Sequence, residues 1–309
     1  MNELSFPTNL IDFDRRFPNE ESCREYFEQL RWPNGFNCPR CCRPGWRLKG
    51  RALFECQKGH QTSLTARTVF HGTRHSLRLW FRVIFLMTAQ KQGISAKNLM
   101  RLLGLRSYQT AWHWLHKLRK AMVRRGRDRL LGPVEEDECF LPGASTGEGR
   151  ACGLPQVLGA VESDGKRLGR VRLQMIKQRD RETIAKFTWE NVRPGSAVAT
   201  DGYQGYMELA NRGYEHRPHT KDWNALPGIH RVFGLLQRWI LGTHQGAVSR
   251  KHLPAYLEEY TFRFNRRRSS SPGRLFARLI EQAAYTRGET WRQLVHDADP
   301  RSQSASGGT

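Results

Sequence analysis

Hydrophobic positions follow a helical period ahead of residue 35 and again over residues 76–125, and form strand-like runs over much of what comes next. Ahead of residue 35, Tyr26, Phe27 and Leu30 share one side of a short amphipathic helix that Pro33-Asn34-Gly35 closes. Residues 76–125 read as helical. Leu99, Leu102 and Leu103 lead to Gly104-Leu105, after which Ala111, Leu115, Leu118 and Met122 step by 4, 3 and 4 into one apolar stripe. Beyond Leu131-Gly132-Pro133, strands are predicted at 134–141, 156–163 and 168–177; in the last, Val171, Leu173 and Met175 alternate with Arg170, Arg172 and Gln174. A helix over 180–192, capped by Asp180, precedes the short apolar strand AVATD at 197–201. After a further helix and a short strand come helical patterns at 229–243 and 250–268, the second with Leu253, Leu257, Tyr260 and Phe264 inward. The terminal SQSASGGT is low in complexity and is expected to be disordered.

Two features punctuate this pattern. Cys38-Pro-Arg-Cys41 and Cys56-Gln-Lys-Gly-His60 are ligand pairs about 15 residues apart on tight turns, the layout of a zinc ribbon. The fourth ligand is His60, with Cys42 as the alternative. The short helix, glycine turn and second helix around Gly104 read as helix-turn-helix. Three meandering strands, a helix, a strand and then helices are the order of an RNase H-like domain. The predicted fold is therefore α/β, with an RNase H-like catalytic domain preceded by a zinc ribbon and a helical helix-turn-helix domain. The expected divisions are a helical segment at 1–35, the ribbon at 36–73, the helix-turn-helix domain at 74–130, the catalytic domain at 131–290 and the tail at 291–309.

Charge sharpens the functional reading. The 309 residues carry a formal charge of +22, and residues 51–130 hold 17 basic residues against two acids, Glu55 and Asp128. A surface that only needs solvation mixes signs, so an excess of this kind points to a polyanion. His113, Lys117, Lys120 and Arg124 step along one face of the second helix, with Arg125 beside them, and are the expected DNA contacts. The longest apolar run, Leu79 to Met87, is interrupted by Arg82 and is well short of the ~18 residues that a membrane span needs. An odd count of seven cysteines, no disulfide spacing and no secretory leader imply a reducing cytoplasm. Cys139 and Cys152 are expected to pack as small hydrophobes, and His244 is read as structural or as a DNA contact.

Four consecutive acids, Glu135, Glu136, Asp137 and Glu138, occupy a predicted strand of this very basic chain. Acids are tolerated in a strand interior where they face a site, often with a cation. Asp201 ends another strand, and two aspartates on neighbouring strands would form an oxygen-ligand Mg²⁺ site. A pair of such ions can drive phosphodiester cleavage.

The segments LRWPNGFNCPRC, FECQKGHQTSLTARTVFHGT, WFRVIFLM, VEEDECFLPG, ATDGY, HRVFGLLQRWILGTHQG and KHLPAYLEEYTFRFNRR, spanning about residues 20–290, resemble a DDE-type insertion-sequence transposase of the ISXO-like branch with an amino-terminal zinc ribbon. That resemblance implies binding of the terminal inverted repeats of the element, DNA strand cleavage and strand transfer into target DNA. It also implies a homodimer or higher homo-oligomer in the synaptic complex, nucleoid association, a structural Zn²⁺ and a two-metal Mg²⁺ or Mn²⁺ site. The catalytic, Mg²⁺-binding residues it assigns are Asp137, Asp201 and His230. His230 shares a helix face with Gly234 and Gln237, while Ile229, Val232, Phe233, Leu236 and Ile240 face the core. Gln237 stands where the family tends to have lysine, and it loses the charge that would hold a phosphate. Gln237, Arg238 and Glu259 are expected in supporting roles, with Glu259 or Glu258 the rival third ligand. The alternative function is that of a domesticated or inactive transposase-derived DNA-binding regulator.

Overall fold

The computed structural model describes residues 6–124, 126–141, 154–219, 225–269 and 271–297. In chain order its elements are α1 (Leu10–Arg16), α2 (Glu20–Arg31), β1 (Gly45–Arg47), β2 (Leu53–Cys56), β3 (Gln61–Ser63), α3 (Leu77–Ala89), α4 (Ala96–Leu103) and α5 (Tyr108–Ala121). These are followed by β4 (Val134–Phe140), β5 (Gln156–Ser163), β6 (Leu168–Ile176), α6 (Arg181–Asn191), β7 (Ala197–Asp201), a 3-10 helix (Gln204–Arg212) and β8 (Glu215–His219). Last come α7 (Pro227–His244), α8 (Leu253–Phe264) and α9 (Pro272–Tyr285). The expected strands and the α4–Gly104–α5 break fall where the residue pattern puts them.

The chain forms two compact units, residues 1–123 with 269–309, and residues 124–268. The first unit has two parts. Its helical part is built on an aromatic cluster in which Phe13, Phe17, Phe81 and Phe85 all meet Phe276 of α9. The packing thus gives α9 to the front of the chain, whereas the sequence order ran a single domain on to residue 290. A short amphipathic helix goes to whichever apolar surface can cover it, and sequence distance does not decide that. The terminal stretch is likewise ordered as far as a π-helical turn at Gln293–Asp297, and residues 298–309 lie outside the described ones.

The other part of the first unit is a three-stranded antiparallel sheet in the order β1-β2-β3. Phe54 packs with Trp32 and Phe36 beneath it, at ring separations of 4.6 and 5.1 Å. Gly45 pairs with Cys56 so closely that a Cβ there would sit 2.2 Å from the Glu55 carbonyl oxygen.

The second unit is a five-stranded sheet in the order β6-β5-β4-β7-β8. β4, β5 and β6 form an antiparallel meander, while β7 runs parallel to both β4 and β8. Each face is covered. On one side, Val157, Val161, Val171 and Leu173 pack against α7 and α8 through Ile229, Phe233, Leu257 and Tyr260. On the other, Leu158, Ala160 and Val198 pack against α6 and the 3-10 helix through Ile184, Phe187, Tyr206 and Leu209. Strand β5 is apolar on both faces, as a strand buried on both sides must be. Gly159, in register with Asp137, lets α7 come down onto the sheet. A Cβ at that position would lie 2.9 Å from side-chain atoms of Leu173 and Phe233.

Gly45→Ala is expected to cost the β1–β2–β3 sheet about 2 kcal/mol or more, because the clash is with backbone that cannot rotate away. Thermal melting of the variant, with the rate at which a chelator strips its metal, checks this.

Candidate functional site

Strand β4 threads four carboxylates through the middle of the sheet, and each meets a different partner. Glu135 is buried, and its Oε2 accepts the backbone N–H of Ile229 at 2.9 Å, at the amino end of α7. A carboxylate there satisfies an orphan helix donor and complements the helix dipole. Glu136 is fully buried on the opposite face and accepts the Thr188 hydroxyl at 2.9 Å. Burial pushes its carboxyl up to about 8, which favours the protonated form. Asp137 returns to the α7 side, where its Oδ2 lies 3.0 Å from His230 Nε2. Glu138 accepts the Tyr206 hydroxyl at 2.8 Å.

At the carboxyl end of neighbouring β7, Asp201 Oδ2 accepts from the Arg179 guanidinium at 2.7 Å, and its Oδ1 accepts the Tyr203 N–H at 3.1 Å. The same guanidinium pairs with Glu138 through Nε. Oxygen atoms of Asp137, Glu138 and Asp201 all fall within 4.8 Å of one another. Burial raises the Asp137 carboxyl, and the nearby Asp201 charge adds to this; burial takes Glu138 up to about 7. These are carboxylates crowded beyond what their protein partners neutralise. An all-oxygen donor set of this kind suits a hard divalent cation such as Mg²⁺ or Mn²⁺.

Of the residues singled out from the sequence, Asp137, Asp201 and His230 are brought to one place, although His230 reaches the group through Asp137 and is not one of the clustered trio. Gln237 shares the His230 face of α7 and donates to the Phe140 carbonyl at 3.4 Å, at the end of β4. Arg238 is exposed and bonds back to Gly234 of its own helix. Glu259 is not in the cluster. Its side chain is fully buried in α8 and held by Arg263 at 2.8 Å, one turn on, while Glu258 pairs with Arg127. A glutamate in a core stripe needs its own cation, and Arg263 supplies it. His244 packs edge-on against Trp239 and Tyr256, both at 4.8 Å, as a core residue. Cys139 packs against the α7–α8 core, and burial pushes its thiol up to about 12; Cys152 lies outside the described residues.

Two members of the site escaped the sequence reading. Glu138 was visible as one of four acids, but strict alternation sent it to the face away from Asp137. The strand runs on to Phe140, but its pairing with β7 stops at Glu135, and beyond that point both side chains reach the end of β7. Arg179 carries no signal of its own beside the helix-capping Asp180, which accepts the Thr183 N–H at 2.7 Å as expected.

In the first unit, Cys38, Cys41, Cys56 and His60 converge, with ligand atoms within 4.8 Å of one another. The Cys41 and Cys56 sulfurs are 3.6 Å apart, and the Cys38 sulfur is 3.7 Å from His60 Nδ1. Thiolates about 2.3 Å from a tetrahedral zinc stand about 3.8 Å apart, so the four residues fit Zn²⁺ without rearrangement. Burial works against the Cys38 thiolate, but the N–H groups of Arg40 and Cys41 and the His60 ring outweigh it and bring the thiol down to about 6. Cys42 is exposed, at φ 57°, and points out of this group, so His60 is the fourth member.

Helix α5 carries its basic face under the segment that follows α9. His113 Nε2 meets the Glu289 carbonyl oxygen at 3.0 Å, Lys120 pairs with the Glu289 carboxylate, and Trp291 packs edge-on against Trp112 at 5.4 Å. Lys117 is half-buried, which lowers its ammonium. In the second unit, Arg124 pairs with Asp128 at 2.8 Å, and Arg125 lies outside the described residues. Exposed Lys97, Arg101, Arg106 and Gln109 flank the α4–α5 turn, where Gly104 caps α4 in the left-handed region. No helix among the described residues is long and apolar enough to cross a membrane.

Two family models match this chain. The ISXO2-like transposase domain covers residues 129–265, and the transposase zinc-ribbon domain covers residues 18–62. No curated protein matches it.

Protein purified without chelator is expected to carry one zinc per chain. His60→Ala should release it and melt the ribbon, while Cys42→Ser should leave metal and melting unchanged. Metal analysis by plasma emission on the three proteins checks this.

Proposed function

Since the chain belongs to the ISXO2-like transposases that carry a zinc ribbon, we propose that it cleaves DNA at the terminal inverted repeats of its element and joins the freed ends to target DNA. The observation that carries this reading is the convergence of Asp137 and Glu138, just past the stretch of β4 that pairs with β7, with Asp201 at the carboxyl end of parallel β7. Ligand sites form at such strand ends in α/β sheets, where β4 meets the crossover strand β7. An antiparallel meander followed by parallel β7 and β8, with helices on both faces, supports an RNase H-like domain.

Asp137 and Asp201 would hold the divalent ions, with Glu138 beside them. Bound Mg²⁺ or Mn²⁺ supplies activation of the attacking water or 3′-hydroxyl and stabilisation of the leaving oxygen. The chain's own residues do the rest. Asp137 orients the His230 ring through Nε2, and Glu135 fixes the start of α7 so that His230 stays opposite Asp137. Gln237 offers an amide, without charge, at the edge of the site. A DNA-binding regulator derived from such a transposase would need none of these paired carboxylates.

The helix pair α4–α5 is proposed as a helix-turn-helix reader of the inverted repeats. Lys97, Arg101 and Arg106 at its turn would contact phosphates, along with Lys117, Arg124 and Arg125, whereas His113 and Lys120 are engaged by Glu289. Two copies of the chain, one per element end, would form the synaptic complex. Zinc is structural, since four protein ligands leave no open position for a water.

Asp137→Asn or Asp201→Asn should abolish cleavage of a duplex carrying the terminal repeat and leave its binding intact, because the amide keeps shape but removes charge. His230→Ala should lower cleavage at unchanged stability. Glu259→Ala should instead lower stability by about 3 kcal/mol, since it removes the buried carboxylate that Arg263 pairs with. Gel-based cleavage and urea melts of the four variants separate these outcomes.

Duplex affinity should fall steeply with salt. Replacing Arg101 and Arg106 with alanine should reduce the slope of log K against log salt by about 2, and replacing Lys117 with alanine by about 1. Fluorescence anisotropy across a salt series measures both.

A further inference from the structure

One cation already sits among the acids of the second unit. The Arg179 guanidinium pairs with Glu138 through Nε and with Asp201 through a terminal nitrogen at 2.7 Å, bridging two of the three clustered carboxylates. Its geometry is braced from several sides. The guanidinium carbon lies 3.8 Å from the centre of the Tyr203 ring, and the Tyr203 hydroxyl donates to the Arg179 carbonyl at 2.7 Å. The backbone N–H of Tyr203 donates to Asp201 Oδ1, and the hydroxyl of Tyr206 donates to Glu138 Oε2. Tyr203 thus holds both the arginine and one of its acids, and Tyr206 holds the other.

We propose that Arg179 is the internal counter-cation of the acidic site: it holds Glu138 and Asp201 in register and competes with the divalent ion for them. This rests on the reading of Asp137, Glu138 and Asp201 as the ion site. The guanidinium and the ion need the same oxygen atoms, so each must weaken the other's hold, by the reciprocity that any two coupled ligands obey. The Tyr203 face gives the displaced guanidinium a place to remain, since a cation over an aromatic ring keeps part of its stabilisation away from the carboxylates. With its side chain about 30% exposed, Arg179 can also be drawn off by an approaching anion. A DNA phosphate is the anion at hand, so duplex binding and ion loading should reinforce each other. A transposase built this way loads its ions most readily once DNA is in place.

The experiment is calorimetric titration of Mn²⁺ into the full zinc-loaded chain, compared with Arg179→Gln, Arg179→Lys and Asp201→Asn, with and without a duplex that lacks the terminal repeat. Arg179→Gln should bind Mn²⁺ about tenfold more tightly than wild type. Arg179→Lys, which keeps the charge but cannot bridge, should fall between them. The duplex should tighten Mn²⁺ binding to wild type and do so less for Arg179→Gln. Circular dichroism melting confirms that each variant is folded. Mn²⁺ affinity in both folded Arg179 variants equal to or weaker than wild type would overturn the proposal, while loss of binding in Asp201→Asn would still uphold the ion site. Wild-type Mn²⁺ binding untouched by Asp201→Asn would overturn the ion site and this inference together.

Discussion

Four adjacent carboxylates on a central strand are the constraint around which the second unit is arranged. Burying a charged carboxylate without a partner is too costly for a folded chain to tolerate, so each must be paired, hydrogen-bonded or protonated. Strand alternation divides the problem between two faces. Glu135 and Asp137 look to α7, where a helix amino terminus and His230 answer them. Glu136 and Glu138 look to α6 and the 3-10 helix, where Thr188 and Tyr206 answer. The acids therefore fix which parts of those elements can lie against β4. Gly159 completes the arrangement on the α7 side by leaving no side chain between helix and strand.

The same device recurs in the first unit. The Glu20 carboxylate of α2 accepts the N–H groups of Leu77 and Arg78 at the start of α3, at 3.0 and 2.9 Å. In both units a helix amino terminus is set by an acid from another element, which fixes helix position as well as helix stability. The zinc ribbon uses a different constraint. Its short strands bury too little apolar surface to hold themselves, and a metal-ligand set at the knuckles supplies what a core of that size cannot. Its tight β1–β2 pairing at Gly45 brings the two knuckles within reach of one ion.

Chemistry and charge place function at two separate levels. In the proposed function the ribbon and the basic helices would serve recognition, where the net positive charge of the front segment acts at a distance. The carboxylates would serve reaction, where positive charge must be local and exchangeable. Arg179 would join those needs, as a cation of the protein at a site proposed to take a cation of the solvent.

Much of this was legible in the residue pattern. Short apolar or alternating runs marked β4 to β7 almost to the residue, the paired Cys and His turns marked the ribbon, and the acid run with the strand-ending Asp201 marked the candidate site. These are local signals, since periodicity, knuckle spacing and helix caps depend on neighbours a few positions away. His230 was reached only through its motif, and its 3.0 Å approach to Asp137 needed the fold. What tertiary structure alone decided involves partners far apart in the chain. It set the union of α9 with the front helices, the convergence of Glu138 with Asp137 and Asp201, the Arg179 bridge and the burial of Glu259 on Arg263. The covering of the α5 basic face by Glu289 and Trp291 belongs with them. The physical reason is common to all of these: a side chain's electrostatic partner is chosen by which surfaces pack together, and packing is settled by the whole apolar core, not by the residues beside it.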